Sequence, residues 1–133
     1  MNKDDNSTSI SEILAKYNNQ NGIVADAKVD LWDTYFLKHS EIGNTHDDHT
    51  SVGWETFLNT TSRDKALPLN ERITFETSDI KVYLINKNTS CAKGKLKMIL
   101  PKGIVLNNII YDYLIKTKDG WRVFNSIVNT ASE

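Results

Sequence analysis

Two polar residues, Asp112 and Asn125, occur among apolar neighbours in the stretch from Ile104 to Asn129 of this 133-residue chain. A buried polar group that lacks a partner costs roughly 1–3 kcal/mol, so residues in this setting suggest the lining of a cavity. In a cavity Asp112 could serve as a catalytic acid or base. The alternative is a carboxylate that water reaches at the edge of a sheet.

The stretch has the pattern of a β-hairpin. Two runs rich in β-branched and aromatic residues flank Asp119-Gly120, a dipeptide that favours a type I′ turn. With these two residues as the loop, the predicted register places Lys118 opposite Trp121 and Leu114 opposite Asn125.

Both faces of this predicted hairpin are largely apolar. One face carries Asp112 together with Leu114 and Asn125. Because an ordinary antiparallel sheet leaves one face in water, we expect both faces to be covered, the second by another subunit. The residues that would form this homodimer interface share the other face: Tyr111, Tyr113, Phe124 and Val128.

The three histidines of the chain all lie between His39 and His49. The run from His46 to His49 resembles a metal site, but its spacing does not force three or four ligands to converge, and we predict no metal. His46 or Asp47 could instead face a cavity as a general base or hydrogen-bonding group. The alternative for both residues is a solvated loop.

The elements that would position these residues begin with a helix. A capping box from Ser9 to Glu12 predicts its start, and residues 1–8 are expected to be disordered. Apolar residues then recur at helical spacing and predict one buried stripe: Ile10, Ile13, Leu14 and Tyr17.

Two further helical patterns carry tryptophans. One runs from about Asp26 to Lys38 and includes Trp32, and a short one runs from about Gly53 to Thr60 and includes Trp54. An aromatic stripe at this spacing usually belongs to a core, so neither tryptophan requires a cofactor. The polar segment between the two patterns is predicted to be a short strand or a loop.

From Arg72 onward the pattern is that of β-strands. The clearest strand places Lys93, Lys95 and Lys97 on one face and smaller or apolar residues on the other. Helices followed by a four-stranded meander predict an α+β domain, with the helices packed on one face of an antiparallel sheet.

Composition narrows the class of protein. Residues 1–133 are expected to form a single domain. Sixteen basic and seventeen acidic residues give a net charge of −1, which indicates neither a nucleic-acid partner nor an anionic membrane surface. The chain lacks an apolar run of about 20 residues and its only cysteine is Cys91, so we expect a cytoplasmic protein in which Cys91 is a small buried residue.

Three stretches give this chain a family resemblance: Leu31 to Phe36, Val52 to Phe57, and Asp112 to Val123. On these residues the chain resembles the nuclear transport factor 2-like superfamily, which includes SnoaL-like polyketide cyclases, ketosteroid isomerases and lumazine-binding-type proteins. The resemblance implies a cone-shaped, curved antiparallel sheet wrapped around N-terminal helices, a cystatin-like α+β roll. It covers nearly the whole chain, and it specifies fold more strongly than function.

The resemblance also implies a cavity between helices and sheet. In that cavity Asp112 or His46 would act as a base, and Tyr17 would donate a hydrogen bond to a developing oxyanion. Residues expected to contact a ligand are Trp32, Trp54, Leu114 and Asn125. The first functional hypothesis is a domain that binds a small apolar or aromatic ligand without a cofactor. The second is a cofactor-free isomerase, cyclase or dehydratase, and the third is a dimeric assembly domain that has no ligand.

Overall fold

Most of the residues that the structure describes form β-strands, and an α-helix precedes these strands. The computed structural model describes residues 3–19, 21, 37, 43–47, 49–52 and 73–131. Helix α1 spans Lys3–Asn18, and the six strands are β1 Gly43–His46, β2 His49–Val52, β3 Thr74–Asn86, β4 Thr89–Ile99, β5 Val105–Thr117 and β6 Gly120–Thr130. The helices predicted around Trp32 and Trp54 lie outside the described residues.

The six strands form one sheet in the order β2-β1-β6-β5-β4-β3. Strands β3 to β6 are an antiparallel meander, as predicted, and the sheet is curved and unclosed. The polar histidine-containing segment adds a short hairpin, β1–β2, and β1 runs parallel to β6. The predicted α+β class is therefore confirmed.

Strand β4 shows the alternation that the sequence predicts. Lys93 and Lys95 are exposed, whereas Ala92 and Gly94, which alternate with them along the strand, are buried. A Cβ atom at Gly94 would collide with the side chain of Ile80 and would lie 3.0 Å from the carbonyl oxygen of Ser78. Strand β3 approaches so closely here because its register shifts at a bulge, and only glycine leaves room for it.

The β5–β6 turn differs from the predicted one. Thr117 pairs with Gly120, so the loop residues are Lys118 and Asp119, and Trp121 lies opposite Lys116. The predicted register was wrong because a type I′ turn needs a positive φ at both loop residues, whereas neither Lys118 nor Asp119 has one and the positive φ, 112°, is at Gly120 after the loop. The Thr117 hydroxyl also closes the turn by donating to the Gly120 carbonyl oxygen at 2.7 Å.

A bulge at Phe124 then shifts the alternation of β6 by one residue. Leu114 pairs with Val123, but Tyr113 pairs with Asn125, which leaves Phe124 as the inserted residue. Asn125 therefore does not share a face with Asp112, and that prediction is wrong. Because a single inserted residue reverses every later side chain, Ser126 takes the position opposite Asp112.

The same shift moves Val128 out of the predicted dimer interface. Val128 pairs with Ile110 and packs against the core. We call this face of β3–β6, which carries Ala92, Ile110, Asp112, Leu114, Val123 and Val128, the inner face. The opposite face, which carries Tyr83, Cys91, Tyr111, Tyr113 and Phe124, is the outer face.

Helix α1 begins at Lys3 rather than at Ser9, so the predicted capping box does not start the helix. The disorder expected for residues 1–8 stays a prediction. Ser9 is buried inside the helix, four residues before Ile13, and the half-buried Asn6 lies three residues before Ser9. The buried stripe therefore continues towards the N-terminus through small polar residues, which a search for apolar periodicity does not detect. The burial predicted for Ile13 and Tyr17 is confirmed.

Helix α1 and the inner face bury a common core. Among the described residues its fully buried apolar members are Ile13, Tyr17, Ala92, Ile110, Leu114, Trp121 and Val123. Two polar contacts fix neighbouring segments to the sheet: the Asn21 side chain pairs with Thr77 of β3, and the Leu37 N–H donates to the Val123 carbonyl oxygen at 2.8 Å. In the described part of the chain, the helix is too short and too polar to cross a bilayer.

Candidate functional site

Asp112 lies in the middle of the inner face and is 1% exposed. Its neighbours along β5 on this face, Ile110 and Leu114, are also buried. Across the strands it stands opposite Ala92 of β4 and Ser126 of β6. The carboxyl group is therefore surrounded by small or apolar side chains rather than by water.

Helix α1 supplies the hydrogen-bond partner of this carboxyl group. The Tyr17 hydroxyl donates to Asp112 Oδ2 at 2.7 Å, although the two residues are separated by 95 positions in the chain. Tyr17 is itself 1% exposed. A hydroxyl that donates to a carboxylate at this distance makes one of the stronger hydrogen bonds found in proteins. Two of the three predicted catalytic candidates are thus in direct contact.

Other buried polar side chains extend this site along the inner face. Asn108 lies on β5 and Ser126 on β6, and Ser90 on β4 pairs with Leu114, which makes Ser90 a diagonal neighbour of Asp112 at roughly 7–8 Å. None of these three residues was predicted from the sequence to belong to the site. Ser90 could have been found from the alternation of β4, but Ser126 could not, because its orientation depends on the Phe124 bulge.

Two other buried polar atoms take no part in the hydrogen bond between Tyr17 and Asp112. Within the described residues, Ser90 Oγ and Trp121 Nε1 have no hydrogen-bond partner. Ser90 is 0% exposed and Trp121 is 2% exposed. An unpaired polar group at such depth costs about 1–3 kcal/mol, so each atom calls for a physical explanation.

The remaining predicted site residues have different positions. Leu114 is fully buried beside Asp112 on the inner face. Asn125 is opposite Tyr113, and its side-chain oxygen lies 3.1 Å from the position of a Cβ atom on Gly43. The backbone of His46 pairs with that of Val128. The side chain of His46, and Trp32 and Trp54 as a whole, lie outside the described residues, so their roles stay predictions.

Asp47 is exposed, at the turn between β1 and β2. Its carboxylate accepts hydrogen bonds from the Thr130 N–H at 2.7 Å and from the Thr130 hydroxyl at 2.9 Å, and its N–H donates to the Val128 carbonyl oxygen. Asp47 thereby fixes the β1–β2 turn to the end of β6. Among the described side chains, no group of three or more His, Cys, Asp and Glu residues is placed to hold a metal ion.

Burial shifts the pKa of two groups near the site. Desolvation, with a smaller contribution from the charge of Arg122, lowers the pKa of Lys16 to about 8. Desolvation, with a smaller contribution from the negative charge of Asp112, raises the pKa of Cys91. A raised pKa disfavours the thiolate, so the half-buried Cys91 is poorly suited to act as a nucleophile.

No protein-family model matches the chain, and a search of curated proteins finds no match. Solved structures do match. A candidate scytalone dehydratase from Novosphingobium aromaticivorans DSM 12444 aligns with a TM-score of 0.82 at 10% identity, over 98% of this chain and 89% of that chain. LinA aligns with a TM-score of 0.79 at 12% identity, over 99% of this chain and 92% of that chain.

A third structure, a nuclear transport factor 2-like protein with a cystatin-like fold from Novosphingobium aromaticivorans, aligns with a TM-score of 0.76 at 11% identity. That alignment covers 94% of this chain and 83% of that chain. At such identities the likeness shows the fold alone. The nuclear transport factor 2-like, cystatin-like fold predicted from the sequence is confirmed.

Proposed function

We propose that this protein binds a small, largely apolar ring compound on the inner face of its sheet, against Asp112 and Tyr17. The observation that carries the proposal is the buried hydrogen bond between these two side chains. A polar pair in an apolar interior is typical of sites in which a few polar groups orient a ligand that is otherwise bound by apolar contacts.

The short side chains that surround Asp112 on the inner face support this proposal. Ala92 and Ser126 lie directly opposite Asp112 on the two neighbouring strands, and Ser90 lies diagonally beside it. Side chains this short allow another group to lie close to the sheet beside Asp112. Because Asp112 and Tyr17 are each 1% exposed, a ligand that reaches them must replace protein contacts rather than enter an open cleft.

A thermal-shift screen tests the proposal, with aromatic, steroid-like, polyketide-like and pterin-like compounds. A ligand at about a hundred times its dissociation constant adds roughly 2.7 kcal/mol of stability, which is several degrees in Tm for a domain of this size. The Asp112→Asn variant should lose most of the shift relative to its own ligand-free Tm. Asp79→Asn is the matched control, since Asp79 is exposed and lies on the β3 bulge. Equal ligand-induced Tm shifts in the two variants would show that Asp112 is not part of the binding site.

A second candidate function is cofactor-free acid–base catalysis at the same place. The distance of 2.7 Å between the Tyr17 hydroxyl and Asp112 favours it, because both groups would face one bound substrate. The carbonyl oxygen of the substrate would take over the hydroxyl hydrogen bond that Asp112 accepts, and the released carboxylate would then remove a proton next to that carbonyl group while Tyr17 stabilises the oxyanion. His46 is the alternative base. One structural neighbour is a candidate scytalone dehydratase, which supports a dehydratase or isomerase of this kind.

The enzyme hypothesis has its own test. Once a bound compound has a measurable turnover, Asp112→Asn should lower kcat far more than Tyr17→Phe, and binding should survive in at least one of the two variants. Turnover that is unchanged in Asp112→Asn and in His46→Ala would reject the mechanism.

We also propose that two copies of the chain associate through the outer face. Tyr113 and Phe124 are in ring contact there, with centroids 6.3 Å apart, and Tyr113 is 37% exposed. Tyr111 is on the same face, and Tyr83 and Ile85 at the edge strand are more exposed still. A dimer that forms without any ligand site would correspond to the assembly hypothesis, and a cytoplasmic location stays a prediction.

A further inference from the structure

Two atoms on the inner face lack a role in the contact between Tyr17 and Asp112. These are Ser90 Oγ and Trp121 Nε1, which are buried and, within the described part of the chain, have no hydrogen-bond partner. Folded proteins satisfy nearly all buried polar atoms, so two such atoms on the face that carries the candidate site need an explanation.

The register of the sheet places these two atoms relative to Asp112. Ser90 pairs with Leu114, which is two residues from Asp112 along β5, or about 7 Å. Trp121 pairs with Lys116, which is four residues from Asp112, or about 13 Å along the strand. Both residues therefore lie on the same side of Asp112, towards the β5–β6 turn.

The chemistry of the two groups restricts what can bind them. An indole N–H only donates, and a serine hydroxyl can donate or accept. A partner common to both positions must therefore present a hydrogen-bond acceptor, such as a carbonyl, ether or hydroxyl oxygen.

We propose that Ser90 and Trp121 form a second polar subsite, which binds an oxygen at the far end of an elongated ring compound whose first polar group lies at Asp112. This inference rests on the proposed ligand-binding function and narrows its ligand class. The ligand is an aromatic compound about two rings long that carries an oxygen at each end, rather than a hydrocarbon with a single polar group.

Two compounds that differ by one hydroxyl group test the subsite. Titration calorimetry on the full chain compares 4-phenylphenol with 4,4′-dihydroxybiphenyl. One added neutral hydrogen bond should tighten binding of the second compound about three- to tenfold. Ser90→Ala should reduce this ratio, whereas the exposed Ser78→Ala is the matched control and should preserve it.

A second measurement avoids any dependence on a core variant that folds poorly. In 15N-labelled wild-type protein, 4,4′-dihydroxybiphenyl should move the Nε1–H resonance of Trp121 downfield, and 4-phenylphenol should not. Equal affinities of the two compounds, or a Trp121 resonance that responds to neither, would overturn the subsite and indicate that a buried water satisfies these atoms.

The outcomes separate the two proposals. If 4-phenylphenol binds and the second hydroxyl adds no affinity, the subsite is wrong and the proposed function stands. If neither biphenyl binds while the wider screen finds a ligand sensitive to Asp112→Asn, the subsite is again wrong. If no compound in either experiment binds, both proposals are wrong.

Discussion

The Tyr17 hydroxyl donates to Asp112 Oδ2 at 2.7 Å, which joins the last turn of helix α1 to the middle of β5 inside the core. A helix that packs only through apolar contacts can slide on a sheet, because such contacts have little directional preference. A single buried hydrogen bond adds a directional constraint. The bond therefore fixes how α1 is placed on the inner face, whatever ligand that face binds.

Tyr17→Phe tests the strength of this contact. The variant keeps the ring and removes the donor, which leaves a buried carboxyl group with one hydrogen bond fewer. We expect a loss of about 1.5–3 kcal/mol in the free energy of unfolding, the usual range for a hydrogen bond to a charged group. Urea denaturation measures the loss. Tyr83→Phe is the control, since Tyr83 is 54% exposed and should change stability by less than about 0.5 kcal/mol.

A double-mutant cycle separates the contact from the two side chains themselves. If the bond carries the effect, Tyr17→Phe should cost much less in an Asp112→Asn background than in the wild type. Equal costs in the two backgrounds would show that Tyr17 stabilises the fold through packing alone.

Gly94→Ala tests the close approach of β3 to β4. The new methyl group would meet the Ile80 side chain and the Ser78 carbonyl oxygen, and backbone at 3.0 Å cannot move without distorting the bulge. We expect a loss of about 1–3 kcal/mol, which is typical of overpacking. In the control, Gly43→Ala, the added methyl group meets only the Asn125 side chain, which can rotate away, so the loss should be smaller. Similar losses from the two substitutions would contradict this account.

Much of this fold follows from patterns in the sequence. The alternation from Thr74 to Ile99 identifies β3 and β4 and their orientation, because one polar and one buried face have a period of two. Asp112 stands out as a charged residue among apolar neighbours, and Tyr17 falls on a helical stripe. The family resemblance implied only that both residues line one cavity, and their direct contact was not predicted.

The features that the sequence did not predict depend on a single residue each. The Phe124 bulge moves Asn125 and Ser126 to opposite faces, and neither its position nor its existence has a compositional signal. At the turn, Asp119 and Gly120 suggested two positive φ angles, whereas the Thr117 hydroxyl supports a turn with one. The hydrophobic pattern of a sequence does not reveal a register shift of one residue, but such a shift determines which side chains reach the site.

The outer face predicts the oligomeric state. We expect the wild-type protein to sediment as a dimer at micromolar concentration, because a sheet face with exposed aromatic and aliphatic side chains is more stable when covered. Tyr113→Lys places a charge at the ring contact with Phe124 and should shift the protein towards monomer. Ile104→Lys is the control, since Ile104 is 55% exposed and lies just before the first residue of β5, so this substitution should leave the distribution of monomer and dimer unchanged. A wild-type monomer at this concentration would reject the interface.

Lys16 predicts a pH dependence of stability. Its native pKa, lowered to about 8, is below the ordinary value of 10.5, so the unfolded chain binds more protons than the native protein between about pH 8 and pH 10.5. The free energy of unfolding should therefore gain a contribution that rises with pH across this window and is flat below it. Cys91, whose pKa is raised, contributes in the opposite sense at higher pH, because there the native protein holds the proton more tightly.

The comparison of wild type with Lys16→Met isolates the lysine from Cys91 and from every other titrating group. Urea denaturation from pH 7 to pH 10.5 measures the free energy of unfolding of both proteins. The value for the wild type minus the value for Lys16→Met should increase as pH rises. Lys97→Met, which removes a charge from an exposed position on β4, is the matched control. A flat difference for Lys16→Met would show that burial at the end of α1 leaves Lys16 with its ordinary affinity for protons.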